Sequence, residues 1–409
     1  MGPVILCDKS TVQSLHRLSP ELLHHYFTIN IPPILVREIL GDLVKESDKD
    51  PAILVRSLAR RLSSVSAIPN VDFRSLVSSE LEGNLVPLCR RPILGPGRVL
   101  LAENGQLGIE VTDDPFEQAI NSWRNGEFSV NERTASTLWR EGKCKLNWRL
   151  SIDRLSSLYT PSLRPKRTSE EVLEFVDDLI ASSPESLTAW YCGEFLIEAP
   201  HLEKVRPLES APYTTFCIRV TLFALWAMNF KLVPSKADNQ LDMEYLFYLP
   251  FAHVFATRDK FQNAIAKVFL EPSQELLDHD EFAADLSRIA AWISSLDKDR
   301  KAEELKKLGP PENDGSCCHR LWQKFMGPAY RSKQRLHLTT EQEQELVDYA
   351  MMLSSGKQMS GNHGLKETDG TDFVFRNRTI QVDDPCPCRS GEPFKDCHGK
   401  NGVPPESEI

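Results

Sequence analysis

An unbroken apolar run, Val4 to Cys7, stops at Asp8, which is the pattern of a short strand buried on both faces, as in a parallel sheet. Helical spacing follows from Thr11 to about His25, and Tyr26 to Ile31 reads as a second strand. Pro32-Pro33 then opens a helix over 34–46, proline being tolerated in a first turn. Leu35, Ile39 and Leu43 line one face of that helix, while Glu38 and Asp42 share another. From about residue 61 the alternation fades. Helix formers are interrupted by turn signals at Leu94-Gly95-Pro96-Gly97, Asn104-Gly105, Asp113-Asp114-Pro115 and Pro161 to Pro165.

An apolar helix is predicted from about Thr214 to Asn229 and the α/β pattern then returns. Leu241 to Pro250 reads as helix, Val254 to Thr257 as a buried strand ending near Asp259, and Phe261 to Ala266 as a helix leading into the apolar run Val268 to Leu270. Phe282 to Leu308 reads as one charged helix, and Leu353 to Asp383 as a polar linker. The expected organisation is a first α/β piece over 1–60, a mainly helical insertion over 61–212, a second α/β piece over 213–300, a helical extension and linker over 301–382, and a small tail over 383–402. The fold class this implies is α/β, with a parallel sheet between helices.

The tail carries its own chemistry. Asp384-Pro385-Cys386-Pro387-Cys388-Arg389-Ser390-Gly391 is followed by Phe394-Lys395 and Cys397-His398-Gly399. Three thiolates and one imidazole make a closed tetrahedral Zn²⁺ shell, and a segment this short has no apolar core with which to fold otherwise. Zinc binding in small modules contributes about 10 to 16 kcal/mol, enough to offset the ordering of such a segment. The segment resembles the SEC-C motif, the zinc-binding tail of the bacterial preprotein translocase motor, apart from Arg389 where glycine is common. That resemblance implies structural zinc on Cys386, Cys388, Cys397 and His398, and a docking role toward a protein partner.

Composition narrows the setting. Of ten cysteines, three belong to the tail and the rest are scattered as Cys7, Cys89, Cys144, Cys192, Cys217, Cys317 and Cys318, a reduced, cytoplasmic pattern. Met1 to Asp8 has no basic stretch and too short an apolar run for a signal peptide. The most apolar segment, Val220 to Phe230, is about half a membrane span, so no membrane partner is expected. A net charge of −10 argues against wholesale nucleic-acid binding. Two basic stretches interleaved with aromatics, 139–167 and 320–335, nevertheless suit a phosphate backbone with stacked bases, and equally suit a solvated helix face.

Acids stand at matching places in the two α/β pieces. Asp8 ends the first strand, Glu38 lies on the helix after the second, Asp242 opens the helix before Val254 to Thr257, and Asp259 follows that strand. Ligands of open α/β sheets bind beyond the carboxyl ends of strands. Carboxylates about 4 Å apart repel by about 4 kcal/mol per pair at an effective dielectric near 20. A hard divalent cation removes that repulsion, and oxygen-only ligands select Mg²⁺ or Mn²⁺. An aspartate after a strand is also an ordinary helix cap.

Three segments resemble the PIN-like nuclease domain: Ile5-Leu6-Cys7-Asp8-Lys9-Ser10, Pro33-Ile34-Leu35-Val36-Arg37-Glu38-Ile39-Leu40, and Asp242 through Thr257-Arg258-Asp259-Lys260. The likeness spans about 150 residues in two pieces, separated by an insertion longer than such domains usually carry. It implies a metal-dependent endoribonuclease in which Asp8, Glu38, Asp242 and Asp259 hold Mg²⁺ or Mn²⁺, with Ser10 and Thr257 in support and RNA as substrate. Asp42 and Asp238 are the nearest substitutes. His253 reads as an ordinary hydrogen-bonded histidine, and adjacent Cys317-Cys318 chelates one ion poorly. The alternative is a catalytically inactive PIN-like adaptor that binds a protein or ribosomal partner through its zinc tail.

Overall fold

A computed structural model describes residues 2–18, 20–38, 67–84, 86–93, 97–101, 107–111, 151–155, 168–197, 210–234, 239–306, 309–311 and 315–327. The expected zinc ligands Cys386, Cys388, Cys397 and His398, and also Asp42 and Asp238, lie outside these residues. The chain divides into two compact units, one of Met1–Pro96 with Val111–Ser332, the other of Gly97–Glu110 with Lys333–Ile409.

The first unit is α/β, built on a five-stranded, all-parallel sheet. Its strands are β1 (Val4–Cys7), β2 (Thr28–Ile31), β3 (Ala67–Pro69), β6 (Val254–Thr257) and β7 (Glu275–Asp278), in the order β3-β2-β1-β6-β7. Strands β4 (Gly97–Leu101) and β5 (Leu107–Val111) form a separate two-stranded sheet. The three central strands of the main sheet are buried at every position, because helices cover both faces of a parallel sheet. Ile5 sits between Ile29 on β2 and Val254 on β6, so the two α/β pieces of the sequence meet at the middle of one sheet.

The helices are α1 (Lys9–Leu18), α2 (Pro20–Tyr26), α3 (described over 33–38), α4 (Phe73–Leu81), α5 (Ser169–Ser182), α6 (Pro184–Phe195), α7 (Pro212–Asn229), α8 (Asn239–Leu246), α9 (Lys260–Phe269), α10 (His279–Ser295), α11 (Lys298–Lys306) and α12 (Cys317–Met326). Apart from α3, they sort into two packed sets. In one, α10 packs against α1, α2, α11 and α12; in the other, α7 packs against α4, α5, α6, α8 and α9. This arrangement is consistent with an α/β/α fold. Helix α7 is apolar nearly all round and buried accordingly. Ala211, at its N-cap, offers no side-chain bond; Glu80 of α4, fully buried, accepts instead from Tyr213 N at 3.1 Å, Thr214 N at 2.6 Å and Thr214 Oγ1 at 2.8 Å.

Several element boundaries differ from the sequence expectation. The helix expected over Thr11 to His25 is two, because Pro20 begins a new one, and β2 starts at Thr28 rather than Tyr26. The helix expected to reach Pro250 ends at Leu246 and is followed by a short 3-10 turn, Leu249–Phe251. Helix α9 runs through Val268 to Phe269, and the charged helix expected over Phe282 to Leu308 is broken between Ser295 and Lys298. Four strands were not foreseen: β7, and β3, β4 and β5, which lie inside the span expected to be a helical insertion.

Candidate functional site

Strand order runs away from β1 in both directions, through β2 to β3 and through β6 to β7. The neighbours β1 and β6 therefore flank the switch point, where an open α/β sheet offers a crevice at the carboxyl ends of its strands. Asp8 directly follows β1, and Asp259 stands two residues beyond β6.

Both aspartates cap helices. Asp8, 6% exposed, accepts from Thr11 N at 2.9 Å and from Ser10 Oγ at 2.7 Å, which starts α1. Asp259 accepts from Gln262 N at 2.8 Å and starts α9. Around Asp259 the Thr257 hydroxyl accepts from Asp259 N at 3.0 Å and donates to Gln262 Oε1 at 2.6 Å. Gln262 Nε2 in turn donates to the Asp242 carbonyl at 3.1 Å, tying α8 to the end of β6.

Tyr245 of α8 meets one of the other acids directly. It is fully buried, and its hydroxyl donates to Glu38 Oε2 at 2.5 Å. Burial, followed by the charges of Glu38, Asp8 and Asp242, holds its phenol well above the ordinary tyrosine pKa. Three acids from three separate elements thus lie within electrostatic reach of one side chain. The structure joins Glu38 to Tyr245 by a hydrogen bond and links Asp259 to α8 through Gln262 and the Asp242 carbonyl. Among the described residues, no three His, Cys, Asp or Glu side chains stand close enough to hold a metal ion as a ready-made set. The donor chemistry, carboxylate oxygens alone, is that of a hard divalent cation rather than zinc.

One residue earlier on each helix, Arg37 Nη1 donates to Glu244 Oε2 at 2.7 Å and Nη2 to Asp72 Oδ2 at 3.2 Å. Arg37 and Glu244 are both fully buried. Burial works against the Arg37 charge, but Glu244 and Asp72 outweigh it and raise the guanidinium pKa. Pattern reading missed Arg37, Glu244, Tyr245 and Gln262 as parts of the site. The available signal was an arginine inside the otherwise apolar stretch Ile34-Leu35-Val36.

His279, also not foreseen, begins α10 at the end of β7 and shares a 2.9 Å hydrogen bond with Ser14 Oγ of α1. Burial and the nearby Arg258 lower its pKa, against the opposing pull of Asp280, Asp8 and Asp278. With Thr257, Arg258, Lys260 and Lys267 it lines a cleft of about 980 Å³, which the four acids do not line.

The remaining sequence candidates serve the fold. His253 Nδ1 accepts from Val4 N at 3.0 Å, and burial, with Arg90 and Arg91, lowers its pKa to about 4. Cys318 N donates to Asp285 Oδ2 at 3.1 Å, and the His319 ring lies 2.9 Å from the Pro311 carbonyl through Nδ1, so both residues are engaged within the fold. In the basic stretch beginning at Arg320, Arg320 and Lys324 both pair with Glu275, and Trp322 is buried with its indole donating to the Tyr26 carbonyl. Residues 328–335 of this stretch lie outside the described residues. Of the stretch 139–167, only 151–155 is described. No helix among the described residues is long and apolar enough to cross a membrane.

Comparison with known proteins reaches the tail alone. No curated protein and no solved structure matches the chain, and no comparison supports a PIN-like domain in the α/β unit. Residues 384–400 match the SEC-C motif, so this chain ends in a segment compatible with zinc binding.

Proposed function

We propose that the α/β unit is a metal-dependent phosphodiester hydrolase of PIN-like type acting on RNA, with Asp8, Glu38, Asp242 and Asp259 as its metal-binding acids and the zinc tail as a docking element for a protein partner. The observation that carries this reading is that Asp8 and Asp259 stand at the carboxyl ends of β1 and β6, the strands that flank the switch point of the sheet, with Glu38 held by Tyr245. A bound Mg²⁺ or Mn²⁺ would relieve repulsion among the acids and polarise a phosphodiester oxygen. The chain's own part is to hold the acids in place: helix caps fix Asp8 and Asp259, Tyr245 fixes Glu38, and Gln262 fixes the start of α8.

The test is RNA cleavage by the purified protein with Mg²⁺ or Mn²⁺, beside Asp8→Asn and Asp259→Asn. Asparagine keeps an oxygen for the cap but loses the charge, so both variants are expected to fold. Loss of at least a hundredfold in cleavage rate is expected. Variants that cut as well as the parent would remove these acids from the reaction.

A second reading, a catalytically inactive adaptor, is favoured by a different observation. Asp8 and Asp259 already serve as caps, and no three ligating groups among the described residues stand ready to hold a metal. Calorimetric titration with Mn²⁺ separates the two, because a scaffold without activity has no need of carboxylate-dependent binding.

A further inference from the structure

Three helices open on the cleft of about 980 Å³ beyond β6 and β7. Glu170 from the first turn of α5, Lys260 from the first turn of α9, and His279 and Asp280 from the first turn of α10 all line it. The helices are 14, 10 and 17 residues long, and each N-terminus carries a partial positive charge that favours an anion. Lys267 lies two turns beyond Lys260 on the same wall, and Arg258 stands between β6 and α9.

The charges of the wall divide unevenly. Asp278 Oδ1 accepts from the N–H groups of Asp280 and Glu281 at 2.9 and 3.0 Å, and Asp280 pairs with Arg258 at 3.2 Å. Glu170 stands at a helix N-terminus, where a carboxylate is favoured. The side chains of Lys260 and Lys267, both exposed, form no ion pair or hydrogen bond with any described residue. Two cations are therefore left over for a ligand. His279 supplies a separate indication. It is only 4% exposed, Ser14 occupies its Nε2, and its Nδ1 has no hydrogen-bond partner among the described residues. A buried nitrogen left unsatisfied is costly, so one kept in the wall of a cleft calls for a partner from outside the chain.

We propose that this cleft binds a small phosphate ester, with Lys260, Lys267 and the three helix N-termini holding the phosphate and His279 bonding the ligand from the wall. The volume lies within the range of about 300 to 1,000 Å³ of small-molecule sites. Glu170 and Asp280 are exposed beside the cleft and would repel the further phosphates of an extended strand, which favours a compact ligand. None of the four acids assigned to hydrolysis lines the cleft, so the site stands apart from that reading.

The experiment is calorimetric titration of the full chain with inorganic phosphate, and separately with a single-stranded RNA oligonucleotide, without added divalent ion. The parent is compared with Lys260→Gln combined with Lys267→Gln, and with Asp8→Asn, folding being monitored by circular dichroism. Saturable phosphate binding is expected in the parent, at least about tenfold weaker in the lysine variant, as for the loss of a charged hydrogen bond, and unchanged in Asp8→Asn. Both lysines are exposed, so the double variant is expected to fold; if it does not, each single substitution is read by the same measure. A parent that binds no phosphate, or lysine variants that bind it as tightly, overturn the proposal. Weakening by Asp8→Asn would place the anion at the acids instead and overturn it as well. RNA bound more tightly than phosphate, with the same dependence on the lysines, would replace the small ester by an extended strand.

Discussion

The hydroxyl of Tyr245 donates a 2.5 Å hydrogen bond to Oε2 of Glu38 across a sequence separation of 207 residues. It joins the first α/β piece of the chain to the second on the side of the sheet where Asp8 emerges. Removing it by Tyr245→Phe leaves the Glu38 carboxylate without that donor. Bonds to charged groups contribute about 1.5 to 3 kcal/mol, and a loss of that size is expected in urea-induced unfolding without metal. A variant as stable as the parent would mean that water or another donor replaces the phenol.

Glu80 holds the start of α7 from another helix. Glu80→Ala strips acceptors from two backbone N–H groups and the Thr214 hydroxyl, all buried. Unsatisfied buried donors cost about 1 to 3 kcal/mol each, so the variant is expected to lose several kcal/mol in chemical denaturation. Glu80→Gln keeps one acceptor oxygen and is expected to fall between the parent and the alanine variant.

His253 makes stability depend on pH. Its Nδ1 accepts from Val4 N, so the folded protein keeps the ring neutral, with a pKa lowered from 6.5 to about 4. The unfolded chain binds this proton more readily. The contribution is complete above about pH 6.5 and is lost as pH falls toward 4, amounting to at most about 3 kcal/mol. The buried His279, its pKa also lowered, acts in the same direction. Unfolding midpoints measured between pH 7.5 and 4.5 should fall less steeply for His253→Ala than for the parent; equal slopes would exclude the histidine as a source.

The SEC-C segment should bring one zinc ion per chain, measured by elemental analysis of the purified protein. Cys386→Ser and Cys397→Ser are each expected to abolish that zinc, since three remaining ligands do not close a tetrahedral shell. With the metal gone, the segment has no core of its own and should become readily cleaved by protease. Zinc retained in full by both variants would place the ion elsewhere.

The local pattern determined what is apolar on every side or chemically self-contained. Val4–Cys7 and Val254–Thr257 were legible as strands because central strands of a parallel sheet are covered on both faces and must be apolar throughout. The SEC-C motif was legible because its residues lie together over 384–400. Tertiary structure alone decided the rest. Strands β3 and β7 lie at the sheet edges, where Glu275–Asp278 is only partly buried and Ala67–Pro69 is three residues long, so neither carries the continuous apolar signature. Arg37 reads as a surface charge by composition, yet it is fully buried because partners from two distant helices enclose it. The order of acids along the chain was visible from the start, but the meeting of Glu38 with Tyr245 and of the ends of β1 and β6 depends on strand pairing that brings Ile5 beside Val254. No local pattern encodes a contact between residues so far apart; it exists because burying the apolar faces of both pieces in one sheet leaves their polar ends side by side.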